Sequence, residues 1–132
     1  MAPADVVREL YRRFGGGDVD GALALFLANA TLEIVGERTD VPYFGRWSGH
    51  AGLREFYALV AETTDVQEYV PEQWIETASG VIVIGHEAVT VKASGKSYRS
   101  PWIAVFRFEG DRIASVREFF DTATMARAFR TD

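Results

Sequence analysis

Hydrophobic positions near the start of the chain recur every three or four residues. Val6, Val7, Leu10, Tyr11 and Phe14 fall on one helical stripe, and Gly15, Gly16 and Gly17 end it. Asp18 is placed to cap a second helix carrying Ala22, Leu23, Phe26 and Leu27. Thr31 to Val35 is rich enough in β-branched residues for a short strand. From Gly36 to Ser48 no period is visible, and Pro42 and Gly45 sit among the aromatics Tyr43, Phe44 and Trp47. A third amphipathic helix is predicted from Gly49 to Ala61, burying Leu53, Phe56, Tyr57 and Val60. The period then falls to two. Strands are predicted over Val66 to Thr77, Val81 to Ala93, Ser97 to Phe108 and Arg112 to Phe120, and a closing helical turn or two over Thr122 to Phe129. Ser79-Gly80, Ser94-Gly95 and Glu109-Gly110-Asp111 join the strands as successive hairpins.

Helices first and an antiparallel meander second predict an α+β fold, one domain over residues 1–132 with no linker or repeat. A twisted sheet of this length curls, and helices closing its open side leave an internal pocket. Composition sharpens this picture at one point. Hydrophobic residues (48%) and charged residues (25%) are ordinary, but the chain has nine Phe, five Tyr and three Trp, enough to pack densely or to line a cavity. A net charge of −5 argues against a nucleic-acid partner, because phosphate binding needs a basic surface. The absence of cysteine excludes disulfides and thiolate chemistry and suits a reducing cytoplasm. No signal peptide or membrane-length apolar run is recognisable, so a membrane partner is not expected. Two His and no Cys offer no metal-ligand spacing, and no cofactor motif is present. The Gly15–Gly17 run follows a helix rather than a strand and reads as a stop signal.

Three stretches carry a resemblance: GGGDVDGALALFLANATLEIVG (15–36), WSGHAGLREFY (47–57) and GKSYRSPWIAVFRFEGDRIASVREFFDTATMARAF (95–129). They resemble the nuclear-transport-factor-2-like superfamily, and within it the SnoaL-like and ketosteroid-isomerase-related proteins. The resemblance implies a cone-shaped, curved antiparallel sheet, cystatin-like in outline, packed on three N-terminal helices around an apolar pocket. It also implies a homodimer through the outer sheet face, where Ile82, Ile84 and Ala88 would lie. Ketosteroid isomerase combines a carboxylate base with a Tyr and a protonated Asp as donors to the oxyanion. Here those positions fall on Ile34, Leu10 and Ala104, so that mechanism is not expected. The segment IASVREFFD (113–121) is also similar to limonene epoxide hydrolase. That likeness puts one of its two acids on Glu118, the other on Glu87, and the Arg between them on Gly85.

Strand alternation places Val116, Glu118 and Phe120 on one face and Ser115, Arg117 and Phe119 on the other. The family register turns the Glu118 face inward, together with Ala104 and Glu87. Two carboxylates then face an enclosure lined by Leu10, Phe26, Ile34, Phe56, Trp102, Ala104, Phe106, Val116 and Phe120. Two neighbouring buried carboxyls push one pKa upward, leaving one acid and one base near neutral pH. Glu118 and Glu87 are thus the candidate catalytic pair for an apolar or aromatic ligand with one oxygen function. The alternative keeps Glu118 tied to an Arg such as Arg107 or Arg99, or turns Glu87 outward at a bulge. His86 alternates to the outer face, and His50 reads as a solvated first-turn residue of the third helix. Tyr98 and Trp74 read as packing. Tyr43, Phe44 and Trp47 form either a lid over the pocket or a plug in its open end. Two functions remain: a cofactor-free enzyme of isomerase, cyclase or epoxide-hydrolase type, or a non-catalytic binding or dimerisation domain.

Overall fold

The stripe at residues 6–14 becomes helix α1 (Pro3–Gly15), which buries Val6, Val7 and Leu10 in a computed structural model describing residues 1–132. The Asp18 carboxylate accepts the Gly21 N–H at 2.9 Å and so caps α2 (Val19–Leu23). The second helix is shorter than its pattern. Phe26 and Leu27 belong to strand β1 (Phe26–Ile34), because the Leu25 carbonyl accepts the Ile113 N–H at 3.0 Å and Phe26 pairs with Ile113. A register shift between Phe26 and Thr31 then breaks the alternation of β1, and a turn followed by a bulged strand imitates helical spacing.

The stretch without a period contains β2 (Gly45–Ser48), which pairs antiparallel with β1 from Thr31↔Ser48 to Ile34↔Gly45. Four residues on a sheet edge are too few to show an alternation. Helix α3 (Gly49–Thr63) follows, and then β3 (Thr64–Thr77), β4 (Gly80–Val91), β5 (Ser97–Glu109), β6 (Arg112–Phe120) and α4 (Thr122–Phe129). The sheet order is β2-β1-β6-β5-β4-β3. Every neighbouring pair is antiparallel except β1 and β6, which run parallel, so the sheet is mixed at one seam. It is curved and unclosed, with β2 and β3 as its edges.

Burial on β4 alternates without a break: Val81, Val83, Glu87, Val89 and Val91 are buried, while Ile82, Ile84, His86 and Ala88 are half-buried on the other face. That outer face also exposes Ile75, Ile103 and Phe119. The inner face and helices α1 and α3 enclose the core. No helix is long and apolar enough to cross a membrane.

Candidate functional site

Register puts Glu118 between Ile34 of β1 and Ala104 of β5, with its side chain on the inner face. Glu87 stands two strands away on β4, opposite Ser100 on one side and Tyr69 on the other. Between this face and the helices lies a cavity of about 460 Å³. Both glutamates line it, as do Leu10, Phe26, Ile34, Phe56, Phe106, Val116 and Phe120.

Two of the wall residues expected from strand parity do not reach it. Trp102 is 1% exposed and stacks on Tyr69 with ring centroids 4.6 Å apart and planes 10° from parallel. Its ring also covers Gly85: a Cβ there would lie 2.4 Å from Trp102 Cζ2 and 2.2 Å from the Val70 carbonyl. Ala104 is fully buried, and its single methyl group is too short to pass its neighbours Val83 and Glu118. The Tyr43–Trp47 segment is packed rather than loose. Tyr43 lines the cavity, Phe44 is fully buried against Gly36, and the Trp47 Nε1–H donates to the Tyr43 carbonyl at 3.0 Å beneath the Arg38 guanidinium. Of the three aromatics Tyr43 alone borders the cavity, while Phe44 and Trp47 pack behind it.

Four phenols outside the expected lining join the site. Tyr11, Tyr57 and Tyr69 line the cavity. Tyr98 donates its hydroxyl to Glu87 Oε2 at 2.7 Å, so its role goes beyond packing. Parity with Trp102 and Phe106 already puts Tyr98 on the inner face, which is the signal that could have found it. Tyr11 and Tyr57 are visible in the sequence only as stripe residues, because a helical pattern shows which face is buried and not which atoms meet a cavity.

Burial pushes the Glu87 carboxyl up to about 7, against the pull of the Tyr98 hydrogen bond. Burial, and then the nearby charge of Glu87, push Glu118 up to about 8. Glu118 borders the cavity and is half-buried; its backbone carbonyl accepts the Val35 N–H at 3.0 Å, but its carboxyl accepts no hydrogen bond and joins no ion pair. Arg99 pairs with Glu68 at 3.0 Å on the outer face, and Arg107 lies opposite Gly80 on that same face. Burial also raises the phenols of Tyr11, Tyr43, Tyr57 and Tyr69, so they remain neutral donors around both carboxyls. The Tyr11 hydroxyl and the Trp102 indole N–H are buried without a hydrogen-bond partner.

Neither histidine faces the cavity. His50 Nε2 meets the Phe26 carbonyl at 3.1 Å and ties the start of α3 to the start of β1. His86 Nδ1 meets Glu72 at 2.8 Å on the outer face. Trp74 lies under the Arg8 guanidinium at 4.3 Å.

The model of the SnoaL-like domain matches residues 7–116. The chain belongs to the SnoaL-like family. Among solved structures, a nuclear-transport-factor-2-like protein from Burkholderia xenovorans LB400 is 25% identical, with a TM-score of 0.89 over 97% of this chain and 95% of that one. A SnoaL-like polyketide cyclase from Mesorhizobium loti, so named provisionally, is 18% identical with a TM-score of 0.73, over 89% of this chain and 98% of that one. TerC, co-crystallised with polyporic acid, is 18% identical with a TM-score of 0.79, over 96% of both chains. Curated protein sequences give no match. The likeness of this SnoaL-like chain to limonene epoxide hydrolase finds no support among these relatives, and the Trp102 ring fills the space where an Arg at position 85 would stand.

Proposed function

We propose that the cavity binds a small apolar or aromatic molecule and that Glu118, with Glu87, performs cofactor-free acid–base chemistry on it, of the isomerase or cyclase type. One observation carries this reading: Glu118 borders an apolar cavity that no Arg or Lys lines, and its carboxyl is engaged in no ion pair or hydrogen bond. A binding domain that kept Glu118 for structure would pair it, and neither Arg99 nor Arg107 does so. The charge of Glu87 raises the proton affinity of Glu118. Only the Glu87 carboxyl receives a hydrogen bond, which favours its charged form, so Glu118 holds the proton of the pair at neutral pH. Glu118 is then the acid and Glu87 the base, and the surrounding phenols donate to whatever oxygen or ring face the ligand presents. The names of the neighbours, a SnoaL-like polyketide cyclase and a protein crystallised with polyporic acid, are consistent with a cyclic or aromatic ligand.

The epoxide-hydrolase variant of this reading is weakened by Gly85, which leaves no Arg between the acids. The test is Glu118→Gln, after a thermal-shift screen of aromatic and polyketide-like compounds has supplied a substrate. The variant is expected to keep the fold by circular dichroism and to bind the ligand, while turnover falls by about a hundredfold or more. Undiminished turnover would remove Glu118 from the mechanism and return the protein to the class of simple binders.

A further inference from the structure

The charge inventory of the cavity is one-sided. Glu87 and Glu118 are its only ionisable side chains apart from tyrosines, and no Lys, Arg or His lines it. The groups facing the two carboxyls are Tyr11 from α1, Tyr43 from the segment before β2, Tyr57 from α3, Tyr69 from β3 and Tyr98 from β5. None of these can become positive. The chain as a whole carries −5, so no distant excess of cations compensates the pair.

The walls supply the other half of a recognition chemistry. Tyr11, Phe14, Tyr57, Tyr69 and Phe106 bring aromatic rings to the same enclosure. Aromatic faces attract cations through the ring quadrupole, and more strongly where water is excluded. An anionic ligand would bring further negative charge into a space whose ionisable groups are acids and phenols and which holds no counter-charge, and a desolvated charge without a partner is expensive.

We infer that the ligand of this cavity is a hydrophobic molecule carrying a protonated nitrogen, an amine or iminium, held between the Glu87 and Glu118 carboxylates and the tyrosine rings. The inference rests on the reading of the cavity as a ligand site and adds the class of ligand. The cavity, at about 460 Å³, holds on the order of fifteen water volumes, enough for a bicyclic or tricyclic body beside the nitrogen. A cationic nitrogen also fits the acid–base reading. When a carboxylate takes the proton from a carbon next to an iminium, the C–H pair becomes the new C=C bond and the C=N pair returns to nitrogen. A cation becomes neutral, and no oxyanion forms that would need donors at Leu10 and Ala104.

Three matched probes test this by calorimetry at neutral pH: naphthylethylamine, naphthylethanol and naphthylacetate. The amine is expected to bind about tenfold more tightly than the alcohol, and the carboxylate not at all. Ammonium binding favours the charged carboxylates, so protons leave the protein; the heat then differs between two buffers of unlike ionisation enthalpy. In Glu87→Gln/Glu118→Gln the amine and the alcohol should bind about equally. If that variant lacks native near-ultraviolet dichroism, proton release by the wild-type protein decides the matter. An alcohol or carboxylate bound as tightly as the amine overturns the inference and leaves the cavity a ligand site. Binding of none of the three overturns both.

Discussion

Glu87 and Glu118 differ by one hydrogen bond, the 2.7 Å contact from the Tyr98 hydroxyl to Glu87. Both carboxyls are lifted by burial, but only Glu87 has a donor that favours its ionised form. Tyr98→Phe removes that donor and keeps the ring. The Glu87 carboxyl should then titrate at higher pH than in the wild type, and the acidic limb of any pH–rate profile, which the base sets, should move upward with it. The stability cost is expected to be about 1 kcal/mol, the net worth of one buried hydrogen bond, measured by urea denaturation. A profile that stays in place would mean that Tyr98 packs without tuning Glu87. The two acids were legible in the sequence through the family register together with strand alternation. Their order of proton affinity was not, because it depends on a cross-strand neighbour eleven residues away.

At the scale of elements, β4 and β5 meet at Gly85↔Trp102, where the missing side chain of one residue receives the ring of the other. That exchange holds Trp102 against Tyr69 on β3, so that the indole backs a ring that lines the cavity. Gly85→Ala sets a methyl group against a carbonyl oxygen and an indole carbon, both well inside contact distance. Overpacking of this kind costs about 1–3 kcal/mol, and here the backbone oxygen cannot rotate away. Thermal unfolding of the variant should begin several degrees lower, and its near-ultraviolet dichroism should change as the indole shifts. The hairpins of the second half were legible because alternation and Gly-containing turns are local signals. β2 and the start of β1 were not: a four-residue edge strand is too short for a period, and the bulge in β1 moves its side chains off alternation.

For the whole molecule, the buried acids set a pH dependence opposite to that of ordinary surface carboxylates. The folded state holds their protons up to about pH 7 and 8, whereas the unfolded chain releases them near 4.5. Between those limits the native state binds more protons, so stability is full below about 4.5 and is lost as pH rises toward 8. Glu9 on α1, held down to about 2 by Arg12 and Arg13, acts in the other direction and loses its contribution as pH falls below 4.5. Stability should therefore be greatest in mildly acidic solution. Glu118→Gln removes the larger of the two buried terms. It should flatten the fall toward pH 8 and make the variant more stable than the wild type there, by on the order of 2 kcal/mol in urea titrations. A wild-type protein equally stable at pH 5 and pH 8 would mean that water reaches both carboxyls.

The sequence by itself determined the class of fold, the run of helices and hairpins, and which residues share a strand face with Glu87 and with Glu118; that those faces turn inward was implied by the family resemblance. The local features follow from periodicity within a dozen residues, where backbone geometry ties side-chain direction to position. Tertiary structure alone decided which rings border empty space and which are packed behind it. Leu10 and Phe106 line the cavity while Trp102 and Ala104 do not, although all four lie on inward faces. It also decided that β1 closes on β6 in parallel and that no cation reaches either acid. These are contacts between segments far apart in the chain, fixed by how the sheet curves and how the helices cover it, and no local pattern encodes them.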